Sequence, residues 1–262
     1  MDMTRVVLIG SGNVATSLAH ALAARCEVVQ IYSRTLTHAR HLADAVGCES
    51  ATDDLKALVP DADAYIIAVL DDAIADVIAA VPDNGALWLH TSGSKPMDLF
   101  AGHRARYGVL YPMQSFSRQV VTPLDDVHIF VEACDDAALA DVKSLAGTLT
   151  CNVIPADSDQ RRWLHVAAVF SCNFANHMWV LSDDILTRAG LPFDAMRALI
   201  RTTVDKLDRL TPAQSQTGPA MRNDQEVIAN HLAMLDGDER DIYQLITRSI
   251  IDRHQQDENN NA

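Results

Sequence analysis

Residues Arg5-Val-Val-Leu-Ile-Gly-Ser-Gly-Asn-Val-Ala15 form a short apolar run that ends in two closely spaced glycines. The run predicts a β-strand, and the Ala- and Leu-rich residues that follow it predict a helix. Gly10, Gly12 and Ala15 have the G-x-G-x-x-A spacing that binds a dinucleotide when it joins a strand to a helix. Gly10 permits the tight turn, and Gly12 leaves room for a pyrophosphate at the helix N-terminus. The sequence therefore predicts cofactor binding by Gly10, Ser11, Gly12, Asn13 and Val14.

Length and composition indicate the number of domains and the kinds of partner to expect. The chain has 262 residues, 48% of them hydrophobic, so two domains with substantial cores are expected. A formal net charge of −14 without a basic block argues against nucleic acid and anionic membranes as partners. No apolar run is long enough for a membrane span and no signal peptide precedes the first strand, so a cytoplasmic protein is expected. The five cysteines and ten histidines show no metal-ligand spacing, which predicts no metal site.

The end of the second predicted strand, residues 27–33, decides between the two nicotinamide cofactors. An NAD-binding domain usually places Asp or Glu about 20 residues after the glycines, where the carboxylate binds the ribose 2′-hydroxyl. That place holds Ser33 and Arg34 instead. A guanidinium pairs with a phosphate through two hydrogen bonds, so these residues favour NADP over NAD. The alternative is that Arg34 is a solvated residue at the start of a helix.

Three later apolar runs predict buried strands, at residues 64–69, 86–90 and 107–111. The loops after such strands lie at the carboxyl edge of the sheet, where cofactor and substrate gather. A rigid, polar turn follows Pro112. These loops provide further candidates, which are Val69, Leu70, Thr91 and Ser92 for the cofactor and Gln114 and Ser115 for the substrate. For residues 91–94 the alternative is a turn that caps a helix before Pro96.

Strands alternate with helices as far as residue 155, and from residue 158 onward the periodicity is helical. The fold class is therefore α/β, with an N-terminal Rossmann dinucleotide-binding domain and an all-α C-terminal domain. We predict a Rossmann domain over residues 1–156, an all-helical domain over residues 157–254 and a disordered tail over residues 255–262. Apolar residues at every third or fourth position predict a first long helix over residues 158–188.

The long helix carries the candidate catalytic residues. His165, Asn173 and Asn176 fall within roughly 80° of one another on a helix of about 100° per residue. Histidine ionises near neutral pH and can donate a proton to a carbonyl or imine as hydride arrives. We therefore predict catalytic roles for His165 and Asn173 and substrate binding by Asn176 and Arg222. The alternative for His165 is a hydrogen-bonded histidine at a domain interface. Arg222 could also contact a partner subunit, and the alternative for residues 222–224 is the start of a helix with Asp224 as its N-cap.

Five segments together resemble the 6-phosphogluconate dehydrogenase-like superfamily, and within it the Rossmann-like proteins with a DUF2520 domain. They are Gly10-Ser-Gly-Asn-Val-Ala15, His90-Thr-Ser-Gly-Ser94, Tyr111-Pro-Met-Gln-Ser-Phe116, His165-Val-Ala-Ala168 with Ser171 to Asn173, and Thr217-Gly-Pro-Ala-Met-Arg-Asn-Asp224 with His231. These proteins are described as NADP oxidoreductases and are related to pyrroline-5-carboxylate reductase and F420-dependent NADP oxidoreductase. The resemblance also implies a homodimer formed largely by the helical domains.

Three departures from the resembled families bear on mechanism. Family members often have histidine where this chain has Tyr111, and pyrroline-5-carboxylate reductases usually have glycine where Asn223 stands. The sugar-acid dehydrogenases use a lysine on the long helix, whereas this chain has no lysine between Lys143 and Lys206. The prediction is therefore an NADP(H)-dependent oxidoreductase acting on a small carbonyl or imine. The alternatives are a cyclic imine reductase like pyrroline-5-carboxylate reductase and a non-catalytic NADP-binding sensor or scaffold dimer.

Overall fold

The structure, a computed structural model, describes residues 4–117 and 119–261. The chain divides into two compact units, Met1–Asn173 and Phe174–Ala262. The first unit contains one eight-stranded sheet with strand order β3-β2-β1-β4-β5-β6-β7-β8. Its strands are β1 (Arg5–Ile9), β2 (Glu27–Tyr32), β3 (Ala51–Thr52), β4 (Ala64–Ile67), β5 (Leu87–His90), β6 (Arg106–Pro112), β7 (Ile129–Ala133) and β8 (Val153–Pro155).

Neighbouring strands are parallel except for β6 and β7, which are antiparallel. The central strand β1 pairs with β2 on one side and with β4 on the other, so that Ile9 lies opposite both Tyr32 and Ile67. The chain thus changes direction across the sheet between β1 and β4, and ligands of open α/β sheets bind at such switch points. The turn that contains the glycines follows β1 at this place.

Four helices of the first unit cover the two faces of the sheet. They are α1 (Asn13–Ala23), α2 (Leu36–Val46), α3 (Ile74–Ala80) and α4 (Asp136–Leu149). A fifth helix, α5 (Ser158–Ala168), follows β8. Strands β1 and β4 are apolar on both faces and almost entirely buried, as parallel strands between two helical layers must be. The core divides accordingly into two clusters, one on each face of the sheet. This architecture is the predicted Rossmann domain.

The described part of the second unit consists of helices joined by loops. Its helices are α6 (Ala175–Arg188), α7 (Arg197–Asp205), α8 (Pro212–Ser215), α9 (Gln225–Met234) and α10 (Gly237–Asn261). The predicted long helix over residues 158–188 consists of α5, a π-helical turn at Val169–Phe174 and α6. No helix within the described ranges is long and apolar enough to cross a membrane.

Two boundaries differ from the predicted ones. The compact units divide within the π-helical turn rather than after residue 156, because α5 is anchored to the sheet of the first unit through Ser158 and Arg161. The predicted disordered tail, residues 255–262, is helical as far as Asn261, and residue 262 lies outside the described residues. Helix formation is cooperative, so α10 extends from its apolar residues into this polar segment, whose composition alone had indicated disorder.

Candidate active site

The glycine turn has the shape that dinucleotide binding requires. Gly10 has a φ of +138°, and a Cβ at this position would lie 2.1 Å from the carbonyl oxygen of Ala68 after β4. Its N–H group donates to the carbonyl of Tyr32 at 2.8 Å. Gly12, by contrast, is the N-cap residue of α1, and a Cβ there would meet nothing within 4 Å. Gly10 therefore holds the turn against the sheet, while the backbone at Gly12 is open to a ligand.

The start of α1 suits an anion. Its first turn has no acidic residue and Gly12 provides no side-chain cap, so the N–H groups of this turn are available to a pyrophosphate. The side chain of Asn13 donates to the carbonyl of Phe116 at 3.0 Å, and Val14 packs against the core. Asn13 and Val14 can thus serve a cofactor through their backbone while their side chains fix the turn. These features fit a bound dinucleotide.

The end of β2 brings Ser33 to the glycine turn. The hydroxyl groups of Ser11 and Ser33 lie 2.8 Å apart, and Ser33 is buried. Arg34 is exposed next to it, and its positive charge lowers the pKa of Tyr32, although burial of that phenol raises the pKa by more. The carboxylates of Asp53 and Asp54 also act on Tyr32 and raise its pKa. The predicted 2′-phosphate residues are therefore close to the predicted pyrophosphate residues.

The loops after β4 and β5 are tied to each other. Ser94 donates a hydrogen bond to Asp71, and Lys95 forms an ion pair with Asp72 at 3.1 Å. The Ser92 hydroxyl accepts the N–H groups of Ser94 and Lys95 at 3.1 and 3.0 Å, so it shapes the turn. The remaining predicted cofactor residues line the same edge of the sheet: Thr91 is buried, Val69 half-buried and Leu70 exposed.

His90, at the end of β5, is buried and uncharged at neutral pH. Its Nδ1 accepts the N–H group of Ser92 at 3.2 Å, and its ring stacks on Phe100. Burial lowers the pKa of His90 to about 4, and the positive charge of Arg161 contributes in the same direction. The Pro96 backbone and the Asp71 carboxylate offset only part of this shift. The neutral ring supports the turn after β5.

Tyr111 and His165 form a pair of acid–base side chains at this edge. The Tyr111 hydroxyl lies 3.3 Å from Nδ1 of His165, and the two rings meet edge to face. Tyr111 ends its strand in a buried position, whereas His165 on α5 is exposed. Gly93 in the loop after β5 makes this arrangement possible, because a Cβ there would lie 2.7 Å from Cζ of Tyr111. Burial raises the pKa of Tyr111, so its hydroxyl is protonated at neutral pH.

The position of His165 depends on how α5 begins. Asp157 and Gln160 form a capping box, and the Ser158 hydroxyl donates to Glu132 on β7 at 2.8 Å. Arg161, one turn later, is completely buried and pairs with Glu132 at 3.1 Å. Because residues four apart share a helix face, this attachment directs His165 toward the sheet edge.

The other predicted substrate residues are exposed. Gln114 accepts the N–H group of Ser115 through its side-chain oxygen at 2.8 Å. Asn173 lies in the π-helical turn, which holds more residues than an α turn and rotates Asn173 back toward the face that carries His165. Asn176 on α6 and Arg222 belong to the second unit. The structure therefore associates His165 with a residue absent from the predicted set, Tyr111.

Four residues of this site were missed by the sequence analysis: His90, Tyr111, Glu132 and Arg161. The sequence analysis named Tyr111 as part of a family segment and as a departure from a family histidine, without predicting a role for it. Arg161 precedes His165 by four residues, so their shared helix face was a readable signal. His90 and Glu132 lie on strands, and the sequence pattern of a strand predicts burial or alternation of its residues but no role for either side chain. Within the residues that the structure describes, no group of three or more His, Cys, Asp or Glu side chains could hold a metal ion.

The chain matches two family models and is similar to several solved structures. Residues 5–87 match the family model described as NADP oxidoreductase coenzyme F420-dependent, and residues 127–250 match DUF2520, a domain of unknown function. A candidate NADP oxidoreductase from Bacteroides fragilis, BF3122, is 43% identical over 96% of this chain and 98% of its own, with a TM-score of 0.87. No curated protein matches the chain in sequence.

More distant structures share the fold. A reductive aminase from Aspergillus terreus, in complex with NADPH and ethyl-5-oxohexanoate, is 14% identical with a TM-score of 0.64, over 88% of this chain and 78% of its own. A pyrroline-5-carboxylate reductase from Coxiella burnetii is 16% identical with a TM-score of 0.59, over 97% of this chain and 98% of its own.

Proposed function

The chain belongs to the family of Rossmann-like NADP oxidoreductases with a DUF2520 domain, and we propose that it transfers hydride between NADP(H) and a small carbonyl or imine compound. NADPH supplies the hydride when it is bound. The observation that carries the proposal is the contact between Tyr111 and His165, at the same edge of the sheet as the glycine turn. A proton must accompany the hydride, and this pair can deliver one.

Some residues of this chain bind the cofactor or the substrate, and others transfer the proton. The backbone of residues 10–14 binds the pyrophosphate, and Ser33 with Arg34 binds the 2′-phosphate. His165 donates a proton from its Nε2 edge to the substrate oxygen or nitrogen, while Tyr111 fixes the ring through Nδ1. Gln114, Ser115 and Asn173 are the candidate substrate contacts of the first unit. The exposure of His165 favours this role over that of a core histidine in a non-catalytic NADP-binding scaffold.

We also propose that the protein is a homodimer that uses its helical residues as the interface. The apolar positions of α5 are not part of the core: Trp163 is 75% exposed and Val166 is 47% exposed. Leu199 on α7 and Leu245 on α10 are likewise more than half exposed. Soluble proteins rarely leave so many large apolar side chains in water, and a second copy would cover them. Sedimentation equilibrium tests this, with a dimer expected and a concentration-independent monomer contradicting it.

Cofactor preference is tested by fluorescence titration with NADPH and NADH. We expect tighter binding of NADPH, and we expect Arg34→Ala to remove the preference at a cost of about 1–3 kcal/mol for a lost charge-assisted contact. Arg25→Ala is the matched control, because Arg25 lies beyond the opposite end of α1, where it pairs with Asp125. Equal affinity for both nucleotides in the unsubstituted protein would contradict the assignment of Arg34.

A further inference from the structure

Arg161 is a charged side chain with no exposed surface. Its Nη2 group lies 3.1 Å from the Glu132 carboxylate and 3.0 Å from both the Ser158 hydroxyl and the Lys95 carbonyl. The Nε and Nη1 groups have no hydrogen-bond partner among the residues that the structure describes. A buried cation is costly unless it is compensated, and a guanidinium remains charged even when burial lowers its pKa.

The charge of Arg161 acts on Tyr111. Arg161 precedes His165 by four residues on α5. It pairs with Glu132, which lies opposite Val109 in the sheet, and Val109 precedes Tyr111 by two residues on the same face of β6. Asp71 approaches the phenol from the loop after β4, and Glu132 lies behind Arg161 on β7. Burial raises the pKa of Tyr111, Asp71 raises it further, and Arg161 lowers it. Arg161 is thus the cation that opposes the burial of this hydroxyl.

We propose that Arg161 is a positioning residue for proton transfer, which holds a fixed positive charge beside Tyr111 so that its hydroxyl can pass a proton to His165. This inference rests on the proposed function. As hydride adds to the substrate carbon, the Nε2–H bond of His165 breaks and its proton goes to the substrate oxygen or nitrogen. The Tyr111 O–H bond breaks and its proton goes to Nδ1. Tyr111 remains as a phenolate beside the guanidinium until a solvent proton binds Nε2 of His165 and the Nδ1 proton returns to the phenolate, which restores both groups.

The test measures the ionisation of Tyr111 directly, without cofactor or substrate. Position 111 is replaced by 3,5-difluorotyrosine, whose phenol ionises near neutral pH, and its titration is followed by fluorine NMR. Arg161→Met should move the midpoint up by about 1 pH unit, because the stabilising charge is lost. Glu132→Gln should move it down by about 1 pH unit, because the guanidinium remains while its neutralising partner is gone. A purely structural role for Arg161 would not produce opposite shifts.

Arg104→Met is the matched control. Arg104 is also buried and lies over the Trp88 ring at 4.2 Å, but it precedes β6, whose far end carries Tyr111 about 17 Å away. Its replacement should leave the midpoint unchanged. Shifts of the same sign in Arg161→Met and Glu132→Gln, or no shift in either, would overturn the inference. If Arg161→Met does not fold, Glu132→Gln decides alone: a downward shift supports the inference and any other result overturns it.

The two proposals fail separately. The fluorine titration does not depend on NADPH, so an unchanged midpoint would reject the role of Arg161 and leave the oxidoreductase function standing. Conversely, both shifts without turnover of any carbonyl or imine would support the effect of Arg161 on Tyr111 and reject the proposed oxidoreductase function.

Discussion

The Tyr111 hydroxyl lies 3.3 Å from Nδ1 of His165 and connects the carboxyl end of β6 to α5. Tyr111 is buried and His165 is exposed. His165 can therefore pass a proton to the substrate on its exposed side, while Tyr111 on its other side is shielded from water. The backbone of Gly93 lies against the phenol and the charge of Arg161 acts on it. This pair is the centre of the chemistry that we propose.

Tyr111→Phe should lower kcat by about tenfold to a hundredfold, which corresponds to one hydrogen bond to a group that becomes charged. NADPH affinity should be unchanged, because the hydroxyl is assigned to proton transfer and not to the cofactor. Tyr107→Phe at the other end of β6 is the control, since its ring contact with Phe100 does not need the hydroxyl. Equal rates in the two variants would contradict the role of Tyr111.

Gly93→Ala should reproduce the kinetic defect of Tyr111→Phe without touching Tyr111. The new methyl group would lie 2.7 Å from Cζ and 2.9 Å from the hydroxyl oxygen, so the phenol must shift, which should disturb its contact with His165. Gly147→Ala on α4 is the control, because its Cβ meets nothing within 4 Å and alanine should raise stability by about 0.5–1 kcal/mol. Steady-state kinetics and thermal unfolding separate the two effects. A fully active Gly93→Ala variant would show that this contact is dispensable.

Gly10→Ala and Gly12→Ala should fail in different ways. At position 10 the methyl group would collide with the Ala68 carbonyl and φ is positive, so we expect loss of stability. At position 12 the space is empty, so we expect a stable protein that binds NADPH weakly because the methyl group occupies the pyrophosphate site. Thermal unfolding and NADPH titration of both variants test this. Undiminished NADPH affinity in a folded Gly12→Ala protein would contradict the assigned site.

His90 should make the protein less stable in mild acid. Its pKa is about 4 in the folded state, below the usual value of about 6.5, so the unfolded chain binds the proton more readily. The contribution of His90 to the free energy of unfolding is complete above pH 6.5 and is lost as the pH falls toward 4. At pH 5 the loss is about 2 kcal/mol. Urea unfolding at pH 7 and pH 5 measures the loss. The loss should be smaller in His90→Asn, and an identical loss would contradict the assignment.

The sequence was sufficient for the Rossmann domain because its determinants are local. An apolar run, two glycines and a helix lie within twenty residues, and Gly10 and Gly12 have the geometry that their spacing predicted. The helical periodicity after residue 158 likewise predicted an all-α second part. Where the predicted boundary and the observed units differ, the reason is a long-range ion pair between Arg161 and Glu132.

The catalytic pair could not be read from the sequence, because its two members are 54 residues apart. Periodicity identified His165 but could not say which strand end it meets. Tyr111 reads as one more apolar residue of a buried strand, and Arg161 as a charged residue near the start of a helix. Only the packing of α5 against β6 and β7 converts these three side chains into one site.

The most direct test of the central claim is transfer of deuterium from NADPH labelled at C4 of the nicotinamide. The labelled cofactor is incubated with small ketones and aldehydes, alone and with a simple amine, and the products are analysed by mass spectrometry. We predict deuterium at the former carbonyl or imine carbon, with transfer about 100-fold or more slower in His165→Ala and unaffected in His41→Ala on α2. Tight NADPH binding without transfer to any of these compounds, or undiminished transfer in His165→Ala, would contradict it.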